Sequence, residues 1–281
     1  MTRSDIRVAC IQTTSGVEIG ENIHTVSALI TEAAERGAEF IATPEMTALL
    51  DIRPGKTRTK ALPEEKDAAL KAFRDLAKTL EVWLLIGSHA VRLPTDERLA
   101  NRSFLISPDG DIIARYDKMH MFDVEVGDGQ SYRESKAYCP GGEAVLARTP
   151  LAIIGLTICY DLRFPHLFRT LAQAGAEIIT CPSAFTRVTG KAHWHSLLRA
   201  RAIETGAFVM APAQGGVHED GRETFGHSLI ISPWGEIIVE AEGDAPGVIW
   251  ADIDLDAVKS ARSRIPALSL DVDYELHIAG D

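Results

Sequence analysis

Strand-like and helix-like segments alternate along the whole chain of 281 residues, which limits the chain to a few layered folds. Apolar side chains recur at helical spacing in residues 21–36 and 64–80, and Gly37 is placed to end the first helix. The predicted strands cover residues 6–12, 39–43, 82–91, 103–107, 112–117, 152–159, 177–181, 208–213 and 247–253, and the remaining predicted helices cover about 165–174 and about 191–204. Strands mixed with paired helices predict an α/β layered sandwich rather than a purely parallel doubly wound sheet.

Two stretches of similar sequence add hairpins to this pattern. Residues 105–113 (LISPDGDII) and 230–238 (IISPWGEII) each carry a Pro-Xaa-Gly turn between apolar runs, which predicts a β-hairpin. Such turns are common, so a chance match is one interpretation. The other is that the chain contains two related halves, each of which supplies a sheet and a pair of helices.

Charge and hydropathy argue against two classes of partner. Twenty-nine Lys and Arg against 40 Asp and Glu give a net charge of −11, which repels phosphate backbones, so we expect no nucleic acid partner. No window approaches the ~18 to 20 apolar residues of a spanning helix, so we expect no membrane partner. The first five residues lead into a strand without the apolar core of a signal peptide, which predicts a cytoplasmic protein.

The cysteines and histidines show no metal-binding pattern. The four cysteines have no CxxC spacing and fit neither a disulfide framework nor a zinc site, so we interpret them as reduced thiols, one of which could be reactive. The nine histidines form no HExxH motif and no Cys/His cluster. We therefore expect no metal.

Cys159 ends an apolar run, residues 151–158, that has the length of a buried strand. A nucleophile at a strand end, followed by a turn and a helix, lies at the edge of a sheet with backbone N–H groups nearby for an oxyanion. A buried structural thiol is the simpler interpretation of a lone cysteine. Two further residues favour the reactive interpretation.

Glu45 and Lys118 occupy similar positions, each just after a predicted strand. A half-buried carboxylate at position 45 would have a raised pKa and could act as a general base. An ammonium at position 118 could hold an oxyanion and favour a neighbouring thiolate. Taken singly, each residue is better explained as a solvated side chain in a turn or at a strand end.

Together, the three segments resemble the nitrilase superfamily of carbon–nitrogen hydrolases, whose catalytic triad is Glu, Lys and Cys. Glu45 in TPEM, Lys118 in YDKMHMFDVE and Cys159 in ICYDLRFP match its motifs in order. The likeness covers nearly the whole chain, and it is strongest in residues 182–186, 193–204 and 226–235. These stretches look most like the Nit branch, in particular the deaminated-glutathione amidases and then the ω-amidases.

The resemblance implies an amidase mechanism without a cofactor. Glu45 would take the proton of the Cys159 thiol, which attacks the amide carbonyl, while Lys118 and the backbone N–H of Tyr160 hold the oxyanion. Glu134 matches the second glutamate of the family, which contacts the lysine and helps to position the base and the substrate. Glu45 would then protonate the leaving amine, and water activated by the same carboxylate would hydrolyse the thioester.

The resemblance also implies an αββα sandwich of four layers. One domain would cover residues 1–264 and pair into a homodimer or a higher homo-oligomer through the helix after Cys159 and the helix over residues 191–204. The tail, residues 265–281, is expected to pack at a subunit interface. Arg201 falls in the apolar stripe of the second helix, where a purely structural role, as a buried ion pair with Glu204, is the simpler interpretation.

The implied substrate is a small amide that carries a carboxylate, either deaminated glutathione or a short ω-amide of a keto acid such as α-ketoglutaramate. Four residues near the Cys159 motif are candidates for substrate binding, and the two arginines could hold a carboxylate through two hydrogen bonds or serve structural roles. The candidates are Arg163, Ser183, Phe185 and Arg187.

The sequence departs from the family pattern in two places. Tyr160 and Asp161 follow the cysteine where true nitrilases usually carry Trp-Glu, which favours amides over nitriles. The loop over residues 126–129 lacks the proline often found at that bend, which leaves the lid conformation and the substrate preference open.

Three other interpretations stay open at this stage. The nucleophile could pair with a histidine such as His120, since such partners meet only in the fold. The substrate could be an N-carbamoyl amino acid. The chain could also be a catalytically silent binding protein of the same fold, although the intact set of Glu45, Lys118, Glu134 and Cys159 argues against that loss.

Overall fold

The computed structural model describes residues 5–127 and 131–280. Residues 1–4, which belong to the segment from which a cytoplasmic location is expected, lie outside the described residues. So do Asp128 and Gly129 of the loop over residues 126–129, and Asp281 of the tail. No helix in the part that the structure describes is long and apolar enough to cross a membrane.

The regular structure of the described residues is divided almost evenly between strands and helices. The strands are β1 (Asp5–Gln12), β2 (Phe40–Ala42), β3 (Trp83–Arg92), β4 (Leu99–Ile106), β5 (Ile112–Asp117), β6 (Asp123–Glu125), β7 (Ser131–Arg133), β8 (Val145–Arg148), β9 (Ile153–Leu156), β10 (Ile178–Thr180), β11 (Phe208–Ala211), β12 (Gly215–Val217), β13 (Glu223–Phe225), β14 (Leu229–Ile231), β15 (Ile237–Glu240) and β16 (Gly247–Asp254). The α-helices are α1 (Ile19–Glu35), α2 (Lys56–Lys60), α3 (Ala68–Leu80), α4 (Pro165–Gln173), α5 (Arg187–Thr205) and α6 (Asp256–Arg264), and short 3₁₀ helices cover Glu64–Lys66, Glu134–Lys136, Cys159–Arg163 and Ala267–Ser269.

The strands form two large sheets, which confirms the αββα sandwich. The first sheet has the order β16-β1-β2-β3-β4-β5 and the second has the order β15-β14-β11-β10-β9-β8. Helices α1 and α3 pack on the first sheet, and α4 and α5 pack on the second. The chain therefore stacks in four layers, helix, sheet, sheet and helix, with one core between the two sheets and further apolar packing beneath each helix pair.

Side-chain alternation along β1 shows why a sheet lies in the middle of the stack. Val8 and Cys10 belong to the apolar cluster shared with the second sheet, whereas Ala9 and Ile11 belong to the cluster that includes α1 and α3. All four side chains are fully buried. A strand buried on both faces is apolar throughout, as residues 8–11 are.

The two predicted hairpins both form, each at the edge of its own sheet. The β4–β5 and β14–β15 pairs are antiparallel, and each has a register shift at the corresponding position, at Leu105/Ile106 and at Ile230/Ile231. In both turns the glycine donates its N–H to the carbonyl of the serine three residues earlier, at 2.9 Å. The match between the turns supports two related halves, each with a sheet and a pair of helices.

The predicted element boundaries are wrong in several places. The helix predicted over residues 64–80 begins at Ala68, because the Asp67 side chain caps it by accepting hydrogen bonds from the N–H groups of Ala69 and Leu70 at 2.9 and 3.0 Å. The strand predicted over residues 103–107 begins at Leu99. Strand β8, the short pairs β6–β7 and β12–β13, and helix α6 have no counterpart in the prediction, because their apolar periodicity is weak.

Gly87 sets how closely β3 approaches the turn that follows β2. A Cβ at this position would lie 2.1 Å from the carbonyl oxygen of Thr43 and 2.3 Å from that of Pro44. The Gly87 N–H donates to Oγ1 of Thr43 at 3.0 Å. The absence of a side chain at position 87 thus fixes the backbone just before Glu45.

We expect Gly87→Ala to lower the free energy of unfolding by about 1–3 kcal/mol, because the added methyl group displaces backbone rather than a flexible side chain. Gly20→Ala in α1 is the matched control, since a Cβ there meets nothing within 4 Å and alanine is the better helix former. Urea unfolding curves of both variants measure the difference. Equal midpoints for Gly87→Ala and wild type would show that the turn adapts without cost.

Candidate active site

Glu45, Lys118 and Cys159 meet between the two sheets, although they lie far apart in sequence. Each follows a strand: Glu45 follows β2, Lys118 follows β5 and Cys159 follows β9. Lys118 Nζ donates to Glu45 Oε1 at 2.9 Å, and the Glu45 carboxylate also interacts with the Cys159 thiol. The three residues are 4%, 2% and 6% exposed, so charges on their side chains interact with little screening by water.

Glu134 joins this group on the far side of the lysine. Its two carboxylate oxygens accept from Lys118 Nζ at 3.0 and 2.9 Å. Its Oε2 also accepts the backbone N–H of Phe122 at 2.7 Å. The Lys118 ammonium is therefore held between two carboxylates and cannot swing toward solvent.

Asn101 is a site residue that the sequence interpretation missed. Its Nδ2 donates to Glu45 Oε1 at 2.9 Å and to Glu134 Oε1 at 3.2 Å, so one amide group spaces the two carboxylates. Its backbone carbonyl accepts the N–H of Lys118 at 2.9 Å. An asparagine within a strand carries no motif of its own, and its proximity to Glu45 depends on the pairing of β2 with β3 and of β3 with β4.

The backbone around Glu45 is fixed by contacts from both sheets. Glu45 Oε2 accepts the backbone N–H of Ala184 at 2.8 Å, and Gln214 Nε2 donates to the Glu45 carbonyl at 3.0 Å. The next residue, Met46, has a φ of 55°, and its N–H donates to Oγ of Ser88 at 2.9 Å. A left-handed methionine is uncommon, so the surrounding hydrogen bonds hold this turn in a conformation that the local sequence disfavours.

Cys159 also sits in a left-handed conformation, with a φ of 48°. It begins the 3₁₀ helix Cys159–Arg163, and its own N–H donates to the carbonyl of Pro182 at 2.9 Å. Tyr160 follows in the first turn, where helical N–H groups have no partner inside the helix. A strained turn of this kind presents a nucleophile to a cavity and aims backbone N–H groups at the same space.

The buried Asp161 carboxylate fastens this turn to the segment that carries Lys118. It accepts hydrogen bonds from the Ile158 N–H at 2.8 Å and from the Tyr116 hydroxyl at 2.7 Å. The other oxygen accepts the backbone N–H of His120 at 3.1 Å and lies 2.6 Å from His120 Nδ1. The spacing between Lys118 and Cys159 is thus set by a carboxylate that does not itself enter the cavity.

The pKa values of the central residues follow from burial and charge. Burial raises the pKa of the Cys159 thiol and the Glu45 carboxylate raises it further, so that it lies well above its usual value although Lys118 opposes the shift. Burial also acts to raise the pKa of Glu45, but Lys118 and then Arg222 lower it below its usual value. At neutral pH the site therefore holds a neutral thiol beside an ionised carboxylate.

The raised pKa expected for Glu45 is consequently wrong, because the nearby cations, Lys118 first and then Arg222, stabilise the carboxylate more than burial disfavours it. Lys118 does act to lower the pKa of the Cys159 thiol, as expected, but burial and Glu45 outweigh this effect. Glu45 and Glu134 neutralise the lysine charge, and burial dominates at Cys159. The arrangement favours proton transfer from thiol to Glu45 during attack over a thiolate at rest.

A cavity of about 620 Å³ opens above these groups. Its walls include the five residues predicted for catalysis, together with Phe185, which is one of the four residues predicted for substrate binding. The five are Glu45, Lys118, Glu134, Cys159 and Tyr160. Its lining in the described part of the chain includes no histidine, which disfavours a Cys–His pair.

The other three predicted substrate-binding residues lie outside this lining. Ser183 is fully buried and donates its hydroxyl to the carbonyl of Cys181 at 3.0 Å. Arg187 pairs with Asp244 at 2.7 Å and with Glu223 at 3.1 Å. Arg163 packs over the rings of Tyr160 and Phe185, 5.8 and 5.5 Å from their centroids, so it supports the cavity wall from behind.

Arg222 lines the cavity and was not singled out in the sequence. One terminal nitrogen donates to the carbonyl of Ala184, and its buried Nε has no hydrogen-bond partner among the described residues. The loop that carries it lies between β12 and β13, a short pair that apolar periodicity does not reveal. Arg201, by contrast, is the buried ion-pair partner of Glu204 that was expected, at 2.8 Å.

Both a family model and individual relatives match nearly the whole chain. The family model of the carbon–nitrogen hydrolases matches residues 7–263. A protein named deaminated glutathione amidase from Synechocystis sp. is 39% identical over 263 residues, covering 92% of this chain and 96% of the relative.

Two solved structures share the architecture. The NitFhit protein of C. elegans superposes with a TM-score of 0.88 at 32% identity over 96% of this chain, and this chain spans 65% of its length. Nit3 of Saccharomyces cerevisiae, described as a member of branch 10 of the nitrilase superfamily, superposes with a TM-score of 0.85 at 27% identity, covering 94% of this chain and 95% of Nit3.

If Glu45 accepts the thiol proton, iodoacetamide should label Cys159 rapidly in a Cys139→Ser background, in which the two other cysteines, Cys10 and Cys181, are fully buried. Glu45→Gln should slow this labelling by about 100-fold or more, the range of general-base effects. Peptide mass spectrometry of timed samples gives both rates.

The pH dependence tests the same assignment. Because the pKa of Glu45 lies below its usual value of 4.5, the base stays ionised until the pH falls through that lowered value, so labelling should stay fast as the pH falls toward 4.5. A rate that depends on the thiolate alone would instead fall tenfold for each unit of pH below the thiol pKa. Equal labelling of wild type and Glu45→Gln would show that Glu45 is not the base.

Proposed function

The chain belongs to the carbon–nitrogen hydrolase family, and from this membership we propose that it is an amidase that cleaves a small, carboxylate-bearing linear amide through a Cys159 thioester. The observation that carries the proposal is the cluster of one thiol, one ammonium and two carboxylates at the floor of a single cavity. Neither a structural thiol nor a solvated lysine needs such surroundings.

The reaction begins with the neutral Cys159 thiol. Its sulfur attacks the amide carbonyl as its proton passes to the Glu45 carboxylate, so that a C–S bond forms and the carbonyl oxygen gains the negative charge. The Lys118 ammonium and the Tyr160 N–H stabilise that oxygen. Glu45 returns the proton to the nitrogen of the leaving group, and the C–N bond breaks to leave a thioester and an amine.

Hydrolysis of the thioester by water then completes the cycle. Glu45 takes a proton from the water as its oxygen attacks the thioester carbonyl, and the same oxyanion donors act again. Collapse of the intermediate breaks the C–S bond and releases a carboxylic acid, while the proton returns to the sulfur. Glu134 and Asn101 act as positioning residues in both halves, since they hold the lysine and the base in place.

Arg222 is our choice for the partner of a substrate carboxylate. Four other arginines line the cavity, and each is paired with an acidic residue: Arg53 with Asp51, Arg58 with Glu97, Arg98 with Asp96 and Arg133 with Glu125. Arg222 has no ion pair with a carboxylate within the described residues, and its Nε is a buried donor without a partner. An unpaired buried donor is costly, and a bound carboxylate would satisfy it.

Deaminated glutathione is the substrate that we favour. It carries a carboxylate next to its keto group, a linear amide and a second carboxylate, which suits a cavity of about 620 Å³ with cationic groups on its wall. The relatives that bear the name deaminated glutathione amidase support this choice. N-carbamoyl amino acids and ω-amides of keto acids remain the alternatives, because they share the carboxylate and the scissile C–N bond.

The assembly and its location form a second proposal. We infer that two copies pair and that the tail from residue 265 packs on a neighbouring copy outside the domain over residues 1–264. Apolar side chains alternate with acidic ones along this tail, and they are 65–89% exposed in a single copy. The exposed apolar residues are Leu270, Val272, Tyr274, Leu276 and Ile278. A reducing cytoplasm suits an enzyme whose nucleophile is a free thiol.

The substrate is tested by product analysis. Wild type and Cys159→Ala are incubated with deaminated glutathione, α-ketoglutaramate and an N-carbamoyl amino acid, and the products are identified by mass spectrometry. We expect cysteinylglycine from deaminated glutathione with wild type alone. Turnover of only another amide would retain the chemistry and change the substrate, whereas equal turnover by Cys159→Ala would contradict the mechanism.

Arg222→Met should raise KM for a carboxylate-bearing amide by about 10- to 100-fold, which corresponds to one lost hydrogen bond to a charged group. A neutral amide of similar length controls for the influence of Arg222 on Glu45, since that influence acts on both substrates. The ratio of kcat/KM between the two amides is the measured quantity. A ratio unchanged by the substitution would show that the carboxylate binds elsewhere.

Deletion of residues 266–281 should expose the surface that the tail covers and shift the oligomer toward smaller species. Sedimentation velocity of the intact and shortened chains, at matched concentrations, gives the distribution. An unchanged distribution would exclude the tail from the interface. The Cys159 labelling rate serves as the check that the shortened domain is folded.

A further inference from the structure

We propose that His195, His227 and Glu240 form a surface binding site for a divalent transition-metal ion, with Zn²⁺ as the best match, separate from the cavity. One ligand atom from each residue lies within 4.8 Å of the other two. None of the three residues lines the cavity. The site is independent of the amidase proposal, because nothing in that mechanism uses these side chains.

The donor atoms converge on one point rather than spreading over a surface. His195 Nε2 and His227 Nδ1 lie 2.9 and 2.7 Å from the same oxygen of Glu240, Oε1. Two histidines beside a carboxylate could instead bond to its two different oxygens. Their shared focus on one atom means that small rotations of the side chains would place three ligands around an ion.

The distances suit zinc. Zinc binds imidazole nitrogen and carboxylate oxygen at about 2.0–2.2 Å, so its ligands lie roughly 3.3 Å apart in a tetrahedron. The two nitrogen–oxygen separations need to open only from 2.7 and 2.9 Å to reach that spacing. Two imidazoles and one carboxylate are a ligand set that zinc prefers, with the fourth position left to water.

The three residues come from elements that are firmly packed together. His195 lies in the middle of α5, Glu240 is the last residue of β15, and His227 precedes β14. The Phe225 ring stacks on His227, with centroids 4.4 Å apart and planes at 25°, and stands edge-on to His195 at 6.0 Å. Preorganised ligands lose little freedom on binding an ion, which favours affinity.

His227 itself is held in an unusual backbone conformation, with a φ of 54°. Its N–H donates to the carbonyl of Gly243 at 3.0 Å, and its own carbonyl accepts Nε1 of Trp194 at 2.8 Å. A left-handed histidine carries a cost of its own, so the surrounding contacts determine where the ring points. The ring is thereby aimed at Glu240 rather than along the course of the strand.

In a single copy, an ion can reach these ligands from solvent. The side chains of His195, His227 and Glu240 are 35%, 29% and 32% exposed, so the site is partly buried but accessible to a dissolved ion. Binding requires the two ligating nitrogens to lose their protons. Each imidazole can meet this by moving its proton to its other nitrogen, and a charged imidazole would release one proton to water.

This inference differs from the expectation of no metal that the sequence gives. That expectation rests on the missing short motifs, and the three residues are separated by 45 and 13 positions along the chain. A ligand set assembled from a helix and two strand ends leaves no local pattern.

The test is a calorimetric titration of the intact protein with Zn²⁺, with the reactive thiol blocked by iodoacetamide so that sulfur ligands are removed. We expect one equivalent to bind to wild type. His195→Asn, His227→Asn and Glu240→Gln should each weaken binding by at least about tenfold, since even outer partners of a metal site contribute that much. His193→Asn is the matched control, because His193 is an exposed histidine on the same helix that contacts Arg163 instead.

A second readout guards against misfolded variants. Co²⁺ in the same site should give visible d–d absorption without a thiolate charge-transfer band, and zinc should raise the Tm of wild type and of His193→Asn but not of the three ligand variants. Binding to wild type that survives all three ligand substitutions would overturn the proposal. So would the failure of wild type to bind Zn²⁺ at 100-fold excess over protein.

Discussion

The buried Lys118 ammonium is the charge around which the side chains at the floor of the cavity are arranged. An unpaired ammonium in this position would be strongly destabilising, so Glu45 and Glu134 must approach it, and Asn101 must space them. These partners come from the ends of different strands. The requirement to neutralise one charge thus fixes the relative positions of β2, β4 and β5 where the reaction is proposed to occur.

The second sheet contributes the Cys159 thiol through a different constraint. Cys159 adopts a left-handed backbone at the start of a 3₁₀ helix, and Asp161 anchors that turn to Tyr116 and His120 of the first sheet's side. Ala184 donates to Glu45 from the loop after β10. Hydrogen bonds across the sandwich therefore set the distance between the Glu45 carboxylate and the Cys159 thiol, while the apolar core between the sheets stabilises the fold as a whole.

The two proposed sites differ in how they use charge. In the cavity, carboxylates surround a lysine and leave the thiol neutral, which suits a reaction that needs proton transfer at each step. At the surface, a single carboxylate faces two imidazoles that share its oxygen, which suits a cation. Trp194 lies between them: it bonds to the carbonyl of His227, and its ring lies 5.0 Å from that of Phe185 in the cavity wall.

The sequence by itself determined the layered α/β class, both hairpins and the family, because these depend on local periodicity, on Pro-Xaa-Gly turns and on the short motifs around Glu45, Lys118 and Cys159. Only the tertiary structure decided the lowered pKa of Glu45, the positions of Asn101 and Arg222 beside it, and the convergence of the surface histidines. Each of these depends on distances between residues that are remote in the chain. Electrostatic shifts and ligand geometry vary with such distances, and a linear pattern does not contain them.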